Sequence, residues 1–158
     1  MPTARSGHAA ITVGSAIFVL GGKVGEYGED VQEEQATASV LKFDSTRGTW
    51  SYVAPMPGAR VEFVACAIGS ELYVFGGYMT DLDAQASVFK YDTDADTWST
   101  LAPMPQSVEF CSSTSIDDLV YIVGSDQSEG AGDGHGVLRF EPASGSWSTL
   151  APTIQGRR

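Results

Sequence analysis

One arrangement of side chains recurs three times along this 158-residue chain and limits the fold more than any other feature. Trp50, Trp98 and Trp147 stand 48 and 49 residues apart, and each follows an aromatic by seven positions. An acid follows that aromatic every time, giving Phe43-Asp44, Tyr91-Asp92 and Phe140-Glu141. Downstream come Ala54-Pro55-Met56-Pro57, Ala102-Pro103-Met104-Pro105 and Ala151-Pro152. Upstream lie Gly21-Gly22, Gly76-Gly77 and a degenerate Gly124-Ser125.

The runs before those glycines are Ile17-Phe18-Val19-Leu20, Leu72-Tyr73-Val74-Phe75 and Val120-Tyr121-Ile122-Val123. Four residues of β-branched and aromatic type between turn residues is strand chemistry. Being apolar on both faces, these strands are expected to be covered on both faces. Each period reads as four strands, for the first roughly 7–14, 15–21, 38–44 and 49–54. Tight turns are expected at Gly14-Ser15, Gly69-Ser70 and Asp117-Asp118. The prolines fall after the fourth strand, where they remove no ladder hydrogen bond.

Spacing, glycine pair and tryptophan together resemble the Kelch repeat family, over essentially the whole sequence. The resemblance implies an all-β fold of Kelch-type β-propeller blades, one four-stranded antiparallel blade per repeat. The blades are expected near 5–54, 60–102 and 108–151, in a single array over 1–158. The third repeat departs at Ser125 and Glu141, and its register reads one residue short before Val108.

Propellers have four to eight blades, and three cannot close a ring. Met1-to-Arg5 matches Met56-to-Arg60 in spacing, so the chain reads as a whole number of periods. Two copies head to tail give six blades, and a homodimer in which each half completes the other is expected. A fragment of a longer Kelch protein, or an excised or engineered half-propeller without its own ligand, is the alternative.

Function is expected on the face that the Kelch resemblance assigns to the connections between strands two and three and to the inter-blade segments. Those connections are 23–37, 78–85 and 125–135. They carry Glu26, Glu29, Asp30, Glu33 and Glu34, then Asp81 and Asp83, then Asp126, Glu129 and Asp133. Ten of the twenty acids thus fall on one face, which is either a solvated rim or a field favouring a basic partner. Arg5 and Arg60 match the arginines that grip acidic peptides in Kelch substrate adaptors of ubiquitin ligases, with Ser107 in that place in the third repeat. They could equally pair with Glu26 or its neighbours. A protein or peptide is therefore the expected partner, and the chain is read as a binding module and not an enzyme.

The alternatives are narrower. Glu129, Asp133 and His135 form the best metal candidate, since carboxylate and imidazole suit iron or zinc, as in the Kelch-type specifier proteins of plants. Against it, Asp133 and His135 stand closer together than expected there, so no metal or other cofactor is assigned. No Gly-x-Ser-x-Gly elbow occurs, and two histidines, His8 and His135, do not supply a copper-radical oxidase. Gly21, Gly22, Gly76, Gly77 and Gly124 read as close backbone packing, because no helix follows to face a phosphate. Trp50, Trp98 and Trp147 read as anchors between blades.

A net charge of −11 with nine basic residues argues against nucleic acid and against an anionic membrane surface. No apolar run approaches the roughly 20 residues that span a bilayer. Cys66 and Cys111 do not form a secreted disulfide framework, which points to a reducing compartment, the cytoplasm.

Overall fold

The computed structural model describes residues 1–25, 35–79, 84–108, 110–124 and 136–150. They form three four-stranded antiparallel sheets and one two-stranded ribbon. The first sheet runs β1 (Ala9–Val13), β2 (Ala16–Leu20), β5 (Val40–Asp44) and β6 (Thr49–Val53) in spatial order. The second is built from β7 (Val64–Ile68), β8 (Glu71–Phe75), β9 (Val88–Asp92) and β10 (Thr97–Leu101). The third has β11 (Ser112–Ile116), β12 (Leu119–Val123), β13 (Val137–Glu141) and β14 (Ser146–Leu150). In the first blade the third strand ends at Asp44 and the fourth begins at Thr49 as expected, and the other ends fall one or two residues short.

The ribbon corrects the reading of 23–37 as plain loop. β3 (Lys23–Val24) and β4 (Gln35–Ala36) pair antiparallel, so the connection begins and ends as a hairpin stem. Two-residue strands carry no periodicity that sequence reasoning could detect.

Apolar residues on both faces of the central strands make two separate core layers. Phe18, Leu20 and Val40 of the first sheet pack with Leu72, Val74, Phe89 and Tyr91 of the second. From its opposite face, the second sheet sends Tyr73, Phe75 and Val88 against Val120, Ile122, Leu138 and Phe140. Alternation of side chains across a strand supplies both sets from one run of sequence. Leu72, Tyr73, Val74 and Phe75 are all buried as a result.

The first strands of the three sheets stand side by side. Ser113 Oγ donates to Ala65 O at 3.2 Å and Ser115 Oγ to Ala67 O at 3.0 Å. Farther along, the Glu62 N–H donates to Gly7 O at 3.1 Å and the Phe110 N–H to Glu62 O at 3.4 Å. At the outer edge, Trp98 Nε1 donates to Ala54 O and Asp96 Oδ1 accepts from Ala54 N, both at 2.8 Å. The second sheet thus holds both backbone groups of Ala54, the residue that follows β6.

The acid of each repeat closes the turn between third and fourth strands. Asp44 Oδ1 accepts the N–H groups of Thr46 and Arg47 at 2.9 and 3.1 Å. Asp92 Oδ1 accepts those of Asp94 and Ala95, both at 2.9 Å. Glu141 reaches instead to the hydroxyls of Ser144 and Ser146. These bonds to the ionised form hold all three carboxyls below their usual range. Glu71 is held low by bonds from Lys90 and Tyr73, and Asp96 by bonds from Tyr91 and Ala54.

A carboxyl whose pKa is lower folded than unfolded adds stability above its unfolded pKa and loses it as pH falls through the folded value. Five such groups predict a melting temperature that falls as pH drops below about 4.5. An Asp92→Asn variant should show a shallower drop in thermal scans from pH 6 to pH 3. Identical profiles would refute the assignment.

Candidate functional site

The described residues that follow β2 and β8 meet the inter-blade segments through short backbone bridges. Ser6 pairs with Lys23, Val61 with Tyr78 and Tyr78 with Ala84. The Gly22 N–H donates to Arg60 O and the Gly77 N–H to Val108 O, both at 2.8 Å. The glycine pairs are therefore the points where one blade's backbone rests on the next blade's entry segment. A Cβ on Gly21 would meet Arg60 O at 2.8 Å, and one on Gly22 would meet Ser6 O at 2.6 Å. On Gly76 it would strike Val108 O, and on Gly77 it would come within 2.5 Å of Val61 O. Gly124 lies against Cys111 in the same way.

Arg5 and Arg60 occupy equivalent places beneath this face. Arg5 donates through Nη1 to Gly21 O and Ser39 O at 3.0 and 2.9 Å, and through Nη2 to Ser39 Oγ at 2.8 Å. Arg60 donates to Ala59 O at 2.8 Å and to Ser87 Oγ at 2.7 Å, with its guanidinium 5.1 Å from the centre of the Phe89 ring. Burial lowers the pKa of both groups. Arg60 is only 5% exposed. Among the described residues neither arginine pairs with a carboxylate; the ion pairs there are Arg47–Asp44 and Lys90–Glu71. Both Nε atoms are buried without a described partner.

The third repeat corrects the sequence reading. Val108, not Ser107, takes the place of the arginine. It is buried while Ser107 is exposed, and its carbonyl accepts the Gly77 bond just as Arg60 O accepts that of Gly22. No residue is missing before it, since Met104 to Val108 keeps the four-residue spacing of Met56 to Arg60. Gly136 stands where Ser39 and Ser87 receive the arginines, so this repeat has lost donor and acceptor together.

The three tryptophans differ in what they touch. Trp98 stacks on Tyr91 at 4.8 Å and bonds to the first blade. Trp147 packs on Phe140 and Phe75 at 4.6 and 5.8 Å, but its Nε1 is buried without a described partner. Trp50 rests on its own blade's Phe43 at 4.9 Å.

Other candidates lie outside the described residues: Glu26, Glu29, Asp30, Glu33, Glu34, Asp81, Asp83, Asp126, Glu129, Asp133 and His135. Among the described residues no three His, Cys, Asp or Glu side chains gather as a metal site, and no helix is long and apolar enough to cross a membrane. Neither Cys66 nor Cys111 forms a disulfide, and burial pushes the Cys66 thiol up to about 12.

Sequence reasoning missed Glu62 and Phe110. Both have left-handed backbone, at φ +52° and +51°, in the position that Gly7 fills in the first repeat at +58°. The signal was available, since Gly7, Glu62 and Phe110 stand six residues after Met1, Met56 and Met104.

Comparisons with known proteins agree with this geometry. The chain is 30% identical over 78 residues to "Kelch repeat and BTB domain-containing protein 12" of Homo sapiens, which is 49% of this chain and 12% of that protein. It is 38% identical over 73 residues to "Kelch-like protein terF" of Aspergillus terreus (46% and 15%). The matched stretch is thus under a fifth of either relative's length. A solved structure described as "Structure of YjhT" superposes with a TM-score of 0.73 at 17% identity, over 97% of this chain and 53% of that one. The model of the KLHDC2/KLHL20/DRC7 Kelch-repeats domain matches residues 1–158, and the chain belongs to that Kelch-repeat family.

Proposed function

We propose that the chain is a protein-binding module whose working form is a six-bladed ring of two copies. The partner docks on the face formed by the strand two-to-three connections and the inter-blade segments. The observation that carries the ring is the register of the end faces. Ile116, Tyr121, Val123, Val137 and Leu150 of the third blade match, position by position, Ile68, Tyr73, Phe75, Val88 and Leu101, which the second blade turns towards the third. Ile116, Val123 and Leu150 are exposed. At the other end Trp50 and Tyr52 face outwards where Trp98 faces the first blade, and Tyr52 is exposed. The two end faces therefore carry the two halves of a junction that the chain already makes twice. Contiguous apolar surface of this kind marks an interface.

The charge of −11 supports a basic partner. Arg60, tied to Ser87 and nearly buried, acts beneath the face as a brace for the inter-blade segment, and Arg5 does the same one blade earlier. Light scattering on the purified chain is expected to give about twice 16.7 kDa. A mass of one chain combined with a sharp unfolding transition would overturn the ring.

A further inference from the structure

We propose that the cleft between the first and second blades binds a small α-amino acid. It opens at the ends of the strands away from the glycine pairs, so it is separate from the binding face above and does not rest on it.

The cleft has a volume of about 320 Å³. Ala16, Phe18 and Lys42 of the first blade wall it on one side, and Ser70, Thr93 and Asp94 of the second blade on the other. Its counterpart between the second and third blades shows what it lacks. Register makes the two correspond. Ala16 lies opposite Asp44 and Phe18 opposite Lys42, as Glu71 lies opposite Asp92 and Tyr73 opposite Lys90. In the counterpart, Lys90 Nζ donates to Glu71 Oε1 at 2.6 Å and the Tyr73 hydroxyl to Glu71 Oε2 at 2.5 Å. That cleft carries its own carboxylate against its lysine.

In the first cleft alanine stands for the glutamate and phenylalanine for the tyrosine, so the lysine keeps its place and loses its anion. Lys42 Nζ rests 5.5 Å from the centre of the Phe18 ring and forms no ion pair among the described residues. The facing wall differs too. Thr93 and Asp94 stand where the counterpart has Pro142 and Ala143, and Ser70 where it has Asp118. Among the described residues these three make their hydrogen bonds through backbone atoms, which leaves two hydroxyls and the Asp94 carboxylate unengaged. Asp44 also borders the cleft, but its oxygens are taken by the Thr46 and Arg47 N–H groups and by the Arg47 guanidinium.

The cleft is left with one uncommitted ammonium and one uncommitted carboxylate, on opposite walls. A simple carboxylate ligand would face Asp94, and a simple amine would face Lys42. A molecule bearing both groups meets each with its opposite charge. Its carboxylate takes the place that Glu71 holds in the counterpart, beside the lysine, and its amine turns to Asp94. Ala16 and Phe18 supply an apolar floor for a short aliphatic side chain. The volume is at the small end of the usual range for ligand sites, which suits a single amino acid better than a longer peptide.

The test is an NMR titration of the isotopically labelled full chain with L-valine. Isovalerate, which lacks the amine, and isobutylamine, which lacks the carboxylate, are the controls. Valine is expected to bind saturably and to move the amide signals of Ser70 and Thr93, with each control weaker by about tenfold or more. Lys42→Met, which keeps the stem over Phe18, and Asp94→Asn should each weaken valine by a similar factor. Ala16→Glu, which restores the counterpart of Glu71, should abolish binding without lowering the melting temperature, since its carboxylate pairs with Lys42. Failure of the wild type to bind valine would overturn the site, as would saturation that leaves Ser70 and Thr93 unmoved. Either control binding as tightly as valine would overturn the two-charge recognition. If the Lys42 or Asp94 variant melts lower as well as binding less, Ala16→Glu decides: an intact fold that still binds valine refutes the proposal.

Discussion

Gly77→Ala is expected to cost on the order of 4 kcal/mol, most of the stability of a domain at the low end of the usual range of about 5–15 kcal/mol. The argument separates two effects that a left-handed glycine combines. The first is conformational: φ is +74° at Gly77, and any Cβ there costs roughly 1–2 kcal/mol. The second is steric. A Cβ would stand 2.5 Å from Val61 O and 2.7 Å from Phe63 Cβ, in backbone that is pinned on both sides. Relief would require moving the segment whose next member, Val108, receives the Gly77 N–H at 2.8 Å. Gly69 isolates the first effect, because its φ is +59° and a Cβ there would meet nothing within 4 Å. Gly69→Ala should therefore lose only about 1 kcal/mol. Urea unfolding of the two variants measures both costs, with the slope checking that the transition stays two-state. Equal costs would refute the steric half. A Gly77→Ala protein that stayed folded but lost a ligand would make the glycine pair a binding loop.

The fold was legible because its constraints repeat. A tryptophan, an acid after an aromatic and a glycine pair recur as packing anchor, turn closure and backbone seat, although Trp50 packs on its own blade alone and the third repeat keeps one glycine of the pair. Copies that recur in the same order make each job visible in the sequence. What stayed hidden was whatever happens once. The β3–β4 ribbon has two residues per strand and no pattern to read. Glu62 and Phe110 look like ordinary polar and apolar residues until backbone geometry shows them in a glycine's conformation. Cys66 and Cys111 illustrate the same limit, since only packing shows the first buried deep in a core layer and the second under Gly124. The inter-blade arginines were visible as positions, but their role was not. A guanidinium three residues beyond a proline can face solvent or fold under the segment, and only the Ser39 and Ser87 bonds decide which. The Val108 position was legible after all: the four-residue spacing from methionine holds in every repeat.

That third repeat supplies a control for the arginines. Removing one partner of a buried polar pair leaves the other unsatisfied, whereas replacing both can be nearly neutral. The chain has made the second experiment itself, with Val108 and Gly136 where the second blade has Arg60 and Ser87. Arg60→Val alone strips the Ser87 hydroxyl and the Ala59 carbonyl of their donor and removes the contact with Phe89, for an expected loss of about 2–3 kcal/mol. The loss is held to that range because Arg60 is itself a buried charge without a described carboxylate, so deleting it also removes a desolvation cost. Adding Ser87→Gly should recover about 1 kcal/mol despite glycine's entropy, since the orphaned hydroxyl goes with it. A double-mutant cycle in urea reads that coupling directly. Strict additivity would mean that the pair does not act as a unit. If the double variant regained its stability yet lost affinity for a peptide, the guanidinium would be working for the partner, and the brace would be the cost of holding it ready.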